Sequence, residues 1–315
     1  MARFFLFLFL PVTLVFSQAQ SVRSQVEHLL KTHHYTQAEQ ILLKHQDKPN
    51  ALYYLAVVEM IKGQLDKAVD FAEKGLKIAP KKARFYELLG DIYAVKAQNS
   101  GMLSLVFTVP KIKKNWQKAI EADSSRLSAY QKLFSFYLMA PGYAGGDREK
   151  ALQIAKKVQT LNPPLGQTML AQYYQHENQN EHARQAYSTA LQLALDSVRI
   201  LKEAGYFYLH LKNYPQARRL FEKALRLNPQ APYAYDALAD WYYKTGKKDS
   251  ALVILNRALA LDSLDQNLLF KKARFLADLK QYDRARSLCR NLLKQEMFFA
   301  LRKQISGFLQ MIKDK

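Results

Sequence analysis

Seven histidines and one cysteine are the side chains of this sequence best suited to metal binding or nucleophilic catalysis. No histidine stands in a His-Glu-x-x-His pattern or in a Cys/His cluster with the spacing of a zinc site. Nucleophile-elbow, Walker and dinucleotide loops are also missing from the sequence. We therefore expect no enzymatic activity, no metal and no cofactor. The histidines are His28, His33, His34, His45, His176, His182 and His210.

Two of these groups have simple structural interpretations. His33 and His34 fall in a turn between predicted helices, and a solvated pair is the expectation for them. Cys289 falls on the buried face of a predicted helix, where it would serve as a small apolar residue.

A glycine-rich loop, APGYAGGD at residues 140–147, is the other candidate for chemistry, because such loops can hold phosphate. No Lys-Ser/Thr pair follows it and no strand precedes it, so a structural turn is favoured. Pro141 should end the preceding helix, and the glycines permit positive φ angles. Asp147 is placed to cap the next helix.

Composition narrows the class of protein. The 315 residues are 49% hydrophobic and 23% charged, which is typical of a folded chain, and one cysteine excludes a disulfide scaffold. The formal net charge of +20 favours anionic partners or surfaces. Because the charge is spread along the chain rather than held in one tail, we expect no nucleic-acid partner.

Any site must be positioned by the predicted helices, and these recur in pairs about every 34 residues. A small residue marks the second helix of each predicted unit, and the last four steps between these marks are 32, 34, 34 and 34 residues. Upstream, a small residue is followed by an aromatic one, as in Gly205 and Tyr208. One such helix pair cannot bury its apolar stripe alone, so neighbouring units must stack. The marks are Ala38, Ala68, Ala119, Ala151, Ala183, Ala217, Ala251 and Ala285.

This spacing and these residue types resemble the tetratricopeptide repeat family. The resemblance implies an all-α protein: a right-handed α-solenoid of about eight helix pairs over residues 20–294. Residues 295–315 would form a C-terminal helix that caps the last unit. Binding of that basic amphipathic segment to a membrane surface is the alternative.

Two departures from the repeat carry further information. Residues 98–110 add about ten residues between the helices of the third unit, many of them large and apolar. They are interpreted either as extra helical turns packed on the neighbouring unit or as an apolar lip beside a binding groove. Together with the loop at residues 140–147, this long unit resembles a group of exported bacterial tetratricopeptide repeat proteins.

The N-terminus has the pattern of a signal peptide. Arg3 precedes an apolar stretch at residues 4–16, and small residues stand before a predicted cut after Ala19. We expect residues 1–19 to be removed and the mature chain to be exported, to a bacterial periplasm or beyond. An uncleaved anchor is the alternative.

The family resemblance also implies where binding would occur, because the first helices of such units line the concave face. Arg199, Lys202, Tyr206 and His210 on one unit would face Asp236 and Asp240 on the next, either to grip a partner or to satisfy one another. The pattern for clamping a C-terminal carboxylate fails here. The predicted lining is Tyr53, Glu87, Asp91, Gln131, Gln172, His176, Arg199, Lys202, Tyr206, His210, Asp236, Asp240, Tyr243, Phe270 and Arg274.

The sequence thus favours a non-catalytic exported scaffold that binds a protein or peptide on its concave face. A solute-binding component of an envelope transport system, with a cavity closed by residues 102–109, is one alternative. Charge-driven binding to anionic lipid or cell-wall polymer is another.

Overall fold

The computed structural model describes residues 12–99 and 101–315, and over these residues the chain forms seventeen α-helices and no strand. A short 3-10 turn, Gly142–Ala144, lies between the seventh and eighth helices. The helices are α1 Val12–Lys31, α2 Tyr35–Leu43, α3 Pro49–Lys62, α4 Leu65–Ile78, α5 Ala83–Gln98, α6 Met102–Ala122, α7 Leu127–Met139, α8 Arg148–Leu161, α9 Pro163–His176, α10 Asn180–Leu193, α11 Val198–His210, α12 Tyr214–Leu227, α13 Pro232–Lys244, α14 Lys248–Leu261, α15 Gln266–Asp278, α16 Tyr282–Leu293 and α17 Phe299–Met311.

The first sixteen helices form eight antiparallel pairs, as the repeat predicts. The small residue that marks each second helix has no exposed surface in any of the eight units, from Ala38 to Ala285. Small side chains at these points let the helix axes approach closely. The all-α solenoid predicted from the repeat is confirmed.

Aromatic rings fill the space beside the small residues. A Cβ atom built on Gly205 of α11 would lie 2.3 Å from the ring of Phe221 on α12. At Gly90 of α5, the same atom would lie 2.4 Å from the indole of Trp116 on α6. Both positions therefore require glycine for the helices to pack as they do.

The turns inside the units share one backbone conformation. Asn178, Lys212, Gly246 and Lys280 occupy the same position of successive units and have φ angles of 59°, 57°, 81° and 60°. This is the left-handed region, which glycine enters without strain and other residues enter at a cost.

The extra residues of the third unit do not form a loop between its helices. Residues 102–110 instead begin α6, which is 21 residues long and contains Pro110 in its interior. The carbonyl that Pro110 leaves without a donor belongs to Val106, an exposed residue, so water can satisfy it. Val109 and Ile112 are buried, but Val106 and Phe107 project from the surface.

The glycine-rich loop is a structural turn in the form expected. The Asp147 side chain accepts a hydrogen bond of 3.0 Å from the backbone N–H of Lys150, which caps α8. Gly145 has a φ of 86°, and a Cβ on Gly146 would lie 1.8 Å from the Ala140 carbonyl oxygen.

Helix α17 covers the apolar end of the last unit. Leu301 and Ile305 of α17 join Ala273, Cys289 and Leu292 of the last pair in one buried cluster. Cys289 has no exposed surface, and burial raises the pKa of its thiol to about 11. The capping helix and the packing role of Cys289 agree with the sequence prediction.

The two ends of the solenoid meet, which the sequence did not indicate. The backbone N–H of Thr36, at the start of α2, donates to the Glu296 carboxylate at 2.9 Å, just before α17. The turn at Gly63 lies against the ring of Phe299. The stack of eight units therefore curves far enough to bring its last element back to its first.

The predicted signal peptide lies mostly outside the described residues, since these begin at residue 12. Helix α1 runs without interruption through the predicted cut after Ala19. In the described part of the chain, no helix is both long enough and apolar enough to span a membrane.

Candidate functional site

The first helices of the units line the inside of the curve. Successive first helices contact one another directly, α3 with α5, α7 with α9, α9 with α11 and α11 with α13. In the described chain, successive second helices make at most marginal contact. The side of a stack on which neighbours approach more closely is its concave side, so the predicted lining lies on helices of the inner wall.

An ionic clamp joins the last two units of this wall. The Lys271 ammonium lies 2.6 Å from Asp236 and 3.0 Å from Asp240, and Tyr206 donates a hydrogen bond of 2.8 Å to Asp240. Burial raises the pKa of Asp236 above its ordinary value. Burial also disfavours the charged form of Lys271, but the two carboxylates outweigh this effect and raise the pKa of Lys271. Lys271 is therefore held as a cation between two acids.

A second clamp of the same design joins the third and fourth units. The Lys132 ammonium lies 2.6 Å from Glu87 and 2.5 Å from Asp91. Arg126 pairs with Glu87, and the Trp116 indole donates to Asp91 at 3.0 Å. Burial opposes ionisation of Glu87, but the hydrogen bonds from Lys132 and Arg126 outweigh it and lower the pKa of Glu87.

Sequence reasoning identified the acids of both clamps and missed their cationic partners. Asp236 and Asp240 take their ion pairs from Lys271 and not from Arg199, which pairs with Glu203 on its own helix at 3.0 Å. The sequence did contain a pattern that could have identified Lys271 as the partner, namely a fixed spacing between residues in contact on successive units. Asp240 and Lys271 are 31 residues apart, and the same spacing separates Gln172 from Glu203, which are joined by a hydrogen bond of 2.8 Å.

Further predicted lining residues take part in contacts within the wall. The Arg84 guanidinium lies 4.7 Å from the ring centre of Tyr53, and the Lys202 ammonium lies 5.3 Å from that of Tyr233. His176 lies 3.3 Å from its neighbour Glu177. These contacts fix the positions of the inner side chains.

At the C-terminal end, two aromatic lining residues pack against their neighbours. Tyr243 stacks on Phe275 with 4.4 Å between ring centres and donates to Asp278 at 2.5 Å. Phe270 packs edge-on against Phe308 of the capping helix.

A smaller group of lining residues remains open to solvent. Arg199, His210 and Arg274 are exposed, and Gln131 is half-buried. Within the described chain, no hydrogen bond or ion pair engages Gln131, His210 or Arg274. The side chains of Gln131, His210 and Arg274 can therefore contact a partner without breaking a hydrogen bond or ion pair of the wall.

A cavity of about 510 Å³ lies between the two ends of the solenoid, away from residues 102–109. His33 at its edge is half-buried and lies within hydrogen-bonding distance of the Leu264 carbonyl, at 3.1 Å, and of the Tyr35 hydroxyl, at 2.7 Å. Of the pair expected to be solvated, His34 is exposed, whereas His33 is half-buried because the other end of the solenoid packs against it. Among the described residues, no group of three or more metal-binding side chains converges.

A curved stack of helix pairs with a polar inner wall defines the class of helical-repeat solenoids. Models of the tetratricopeptide repeat match residues 24–83, 196–263 and 237–296, which together make up about half of the chain. The chain is a tetratricopeptide repeat protein.

Two curated relatives share part of their sequence with this chain. TPR repeat-containing protein MJ1428 of Methanocaldococcus jannaschii is 26% identical over 227 residues, which cover 66% of this chain and 36% of that protein. Superkiller protein 3 of Schizosaccharomyces pombe is 33% identical over 89 residues, 28% of this chain and 6% of that protein. The matched segments thus make up about a third or less of each relative.

Two solved structures share the fold. Yeast Tom70 superposes with a TM-score of 0.62 at 14% identity, over 90% of this chain and 59% of that one. A tetratricopeptide repeat protein from Parabacteroides merdae superposes with a TM-score of 0.51 at 16% identity, over 84% of this chain and 99% of that one. At these identities the likeness concerns the fold alone.

Proposed function

We propose that this protein is a non-catalytic scaffold that holds a protein or peptide on its concave face. Extended inner surfaces of this kind are the usual binding surfaces of helical-repeat solenoids. The main observation behind the proposal is that polar side chains of the inner wall fall into two groups, one that holds the wall together and one that is exposed to solvent. The clamps centred on Lys132 and Lys271 fix its shape, while Arg199, His210 and Arg274 stay exposed beside them.

The composition of the exposed group indicates the chemistry of the partner. Arginine side chains and aromatic rings are the usual anchors of protein interfaces. The guanidinium of Arg274, which has no ion pair in the described chain, suits a carboxylate, and Arg199 adds an exposed guanidinium already paired with Glu203. Each arginine lies on the first helix of its unit. A peptide with acidic side chains fits this wall best.

The proposal also includes the location of the protein outside the cytoplasm. The signal-peptide pattern of residues 1–19 and the loop at residues 140–147, which resembles that of an exported bacterial group, support export to a periplasm or beyond. The cavity between the chain ends lies away from residues 102–109, so it gives no support to a solute site closed by them.

Affinity capture from an extract of the source organism tests the proposal. The chain carrying Arg199→Ala, His210→Ala and Arg274→Ala should lose the protein that the unaltered chain captures. The matched control replaces exposed arginines of second helices, Arg219→Ala and Arg257→Ala, and should retain it.

Circular dichroism should give the same helix content for all three proteins, because every altered side chain is exposed. Equal capture by the two variants would remove the concave face from the proposal. Turnover of a substrate by the purified chain would contradict a non-catalytic role.

A further inference from the structure

The most exposed large apolar side chains of the described chain are gathered on two adjoining segments. Phe107 is 75% exposed and Val106 is 70% exposed, both at the start of α6. Tyr143, in the 3-10 turn, is 81% exposed, and Met139, at the end of α7, is 69% exposed. Exposed apolar patches of this kind mark interaction sites.

These two segments touch. A Cβ atom built on Gly145 would lie 3.0 Å from Val109 Cγ1. Val109 is one helical turn after Val106, and Gly145 is two residues after Tyr143. The start of α6 and the turn after α7 are therefore adjacent at the surface, and we call their exposed apolar side chains the apolar edge (Val106, Phe107, Met139 and Tyr143).

Positive charge lies directly beside the apolar edge. Lys111 and Lys114 are exposed and stand four and seven residues after Phe107, so the three side chains share one face of α6. The first acidic residue of α6 is Glu121, near its other end. The helix therefore presents an apolar tip followed by a basic stretch, and its first acidic residue on that face, Glu121, comes two helical turns after Lys114.

We propose that the apolar edge is a docking site for the surface of an anionic phospholipid bilayer. Side chains about three-quarters exposed project from the protein, and a fluid interface can surround them, whereas a protein partner would need a matching pocket for each. Apolar tips beside lysines are the combination that binds the boundary between acyl chains and anionic headgroups. The formal net charge of +20 adds attraction at longer range.

Vesicle co-sedimentation of the full chain tests this proposal, with phosphatidylcholine vesicles that contain or lack phosphatidylglycerol. The unaltered chain should bind only the anionic vesicles. Val106→Ser with Phe107→Ser should weaken binding about tenfold or more, because two large apolar side chains no longer enter the interface. Lys111→Gln with Lys114→Gln should weaken it roughly fivefold for each lysine and reduce its dependence on salt.

Two matched controls separate the site from general effects. Leu195→Ser with Val253→Ser removes exposed apolar side chains elsewhere, and Lys156→Gln with Lys157→Gln removes exposed charge from α8. Both controls should bind as the unaltered chain does.

The proposal is overturned if the unaltered chain does not bind anionic vesicles. It is overturned equally if the Val106→Ser, Phe107→Ser variant binds them as strongly as the Leu195→Ser, Val253→Ser control does. It is also overturned if that variant changes only the oligomeric state in light scattering, since the edge would then be a contact between two copies. Thermal unfolding shows whether the variants fold as the unaltered chain does.

Discussion

The contact between the chain ends can be tested with two glycines in the same conformation. Gly63 and Gly246 both follow a first helix and have φ angles of 82° and 81°. Alanine at either position enters the left-handed region at a cost of about 1–2 kcal/mol. A Cβ on Gly246 would meet nothing within 4 Å, whereas on Gly63 it would lie 2.9 Å from Phe299 Cγ. Gly63→Ala must therefore displace Phe299 or separate the ends, at a further cost of about 1–3 kcal/mol.

Urea unfolding and small-angle X-ray scattering measure the two consequences. Gly63→Ala should lower the free energy of unfolding more than Gly246→Ala does, and it alone should increase the radius of gyration. Adding Phe299→Ala should remove most of the extra cost of Gly63→Ala, because the opposing ring is gone. Equal destabilisation by the two alanines, with unchanged scattering, would refute end-to-end packing.

Three further predictions concern single sites. Lys271→Met should destabilise the protein by about 1–3 kcal/mol at neutral pH, less than for a fully buried pair because Lys271 is 27% exposed. Because burial raises the pKa of Asp236 in the folded state, its protonation at low pH favours folding. The cost of Lys271→Met in urea unfolding should therefore fall as the pH is lowered through the raised pKa of Asp236, and a pH-independent cost would contradict this. Lys212→Gly should raise the urea midpoint, with a gain of up to about 1 kcal/mol from relief of the left-handed turn, and a lower midpoint would count against strain there. Cys289 should resist thiol reagents at neutral pH until urea unfolds the chain, since it is fully buried and its pKa is raised to about 11, and rapid labelling of the native protein would contradict its placement.

The repeat made most of the fold predictable from the sequence. Small residues such as Ala183 and Ala217 recur because the crossing of two helices has no room for a larger side chain, so their spacing reports the packing directly. All eight of these marks are fully buried. The same rule holds at Gly205, where the opposing ring leaves no space for a Cβ.

The sequence left two interpretations of residues 98–110 open, extra helical turns or an apolar lip, and the structure has features of both. Helix α6 is extended through Pro110, although proline usually ends a helix, and Val106 and Phe107 are exposed. The carbonyl that Pro110 leaves unpaired belongs to Val106, on an exposed part of α6. Solvent can satisfy that carbonyl, so the helix continues through the proline and begins at Met102. Local propensity could not reveal this, because it depends on which side of the helix faces water.

The candidate site was predicted only in part, since its residues depend on contacts between units. The positions of Asp236 and Asp240 follow from the repeat, but the choice of Lys271 over Arg199 depends on the rotation between successive first helices. The contact of Thr36 with Glu296, 260 residues away in the sequence, depends on that rotation accumulated over eight units. No local pattern carries this information.

Site-specific photocrosslinking in living cells tests the central claim most directly. A photoreactive residue would replace His210, which is exposed on the inner wall, or Arg219, which is exposed on the second helix of the same unit. Binding on the concave face predicts a discrete crosslinked adduct with one protein from position 210 and none from position 219. Adducts from position 219 alone, or the same adducts from both positions, would contradict binding on the concave face.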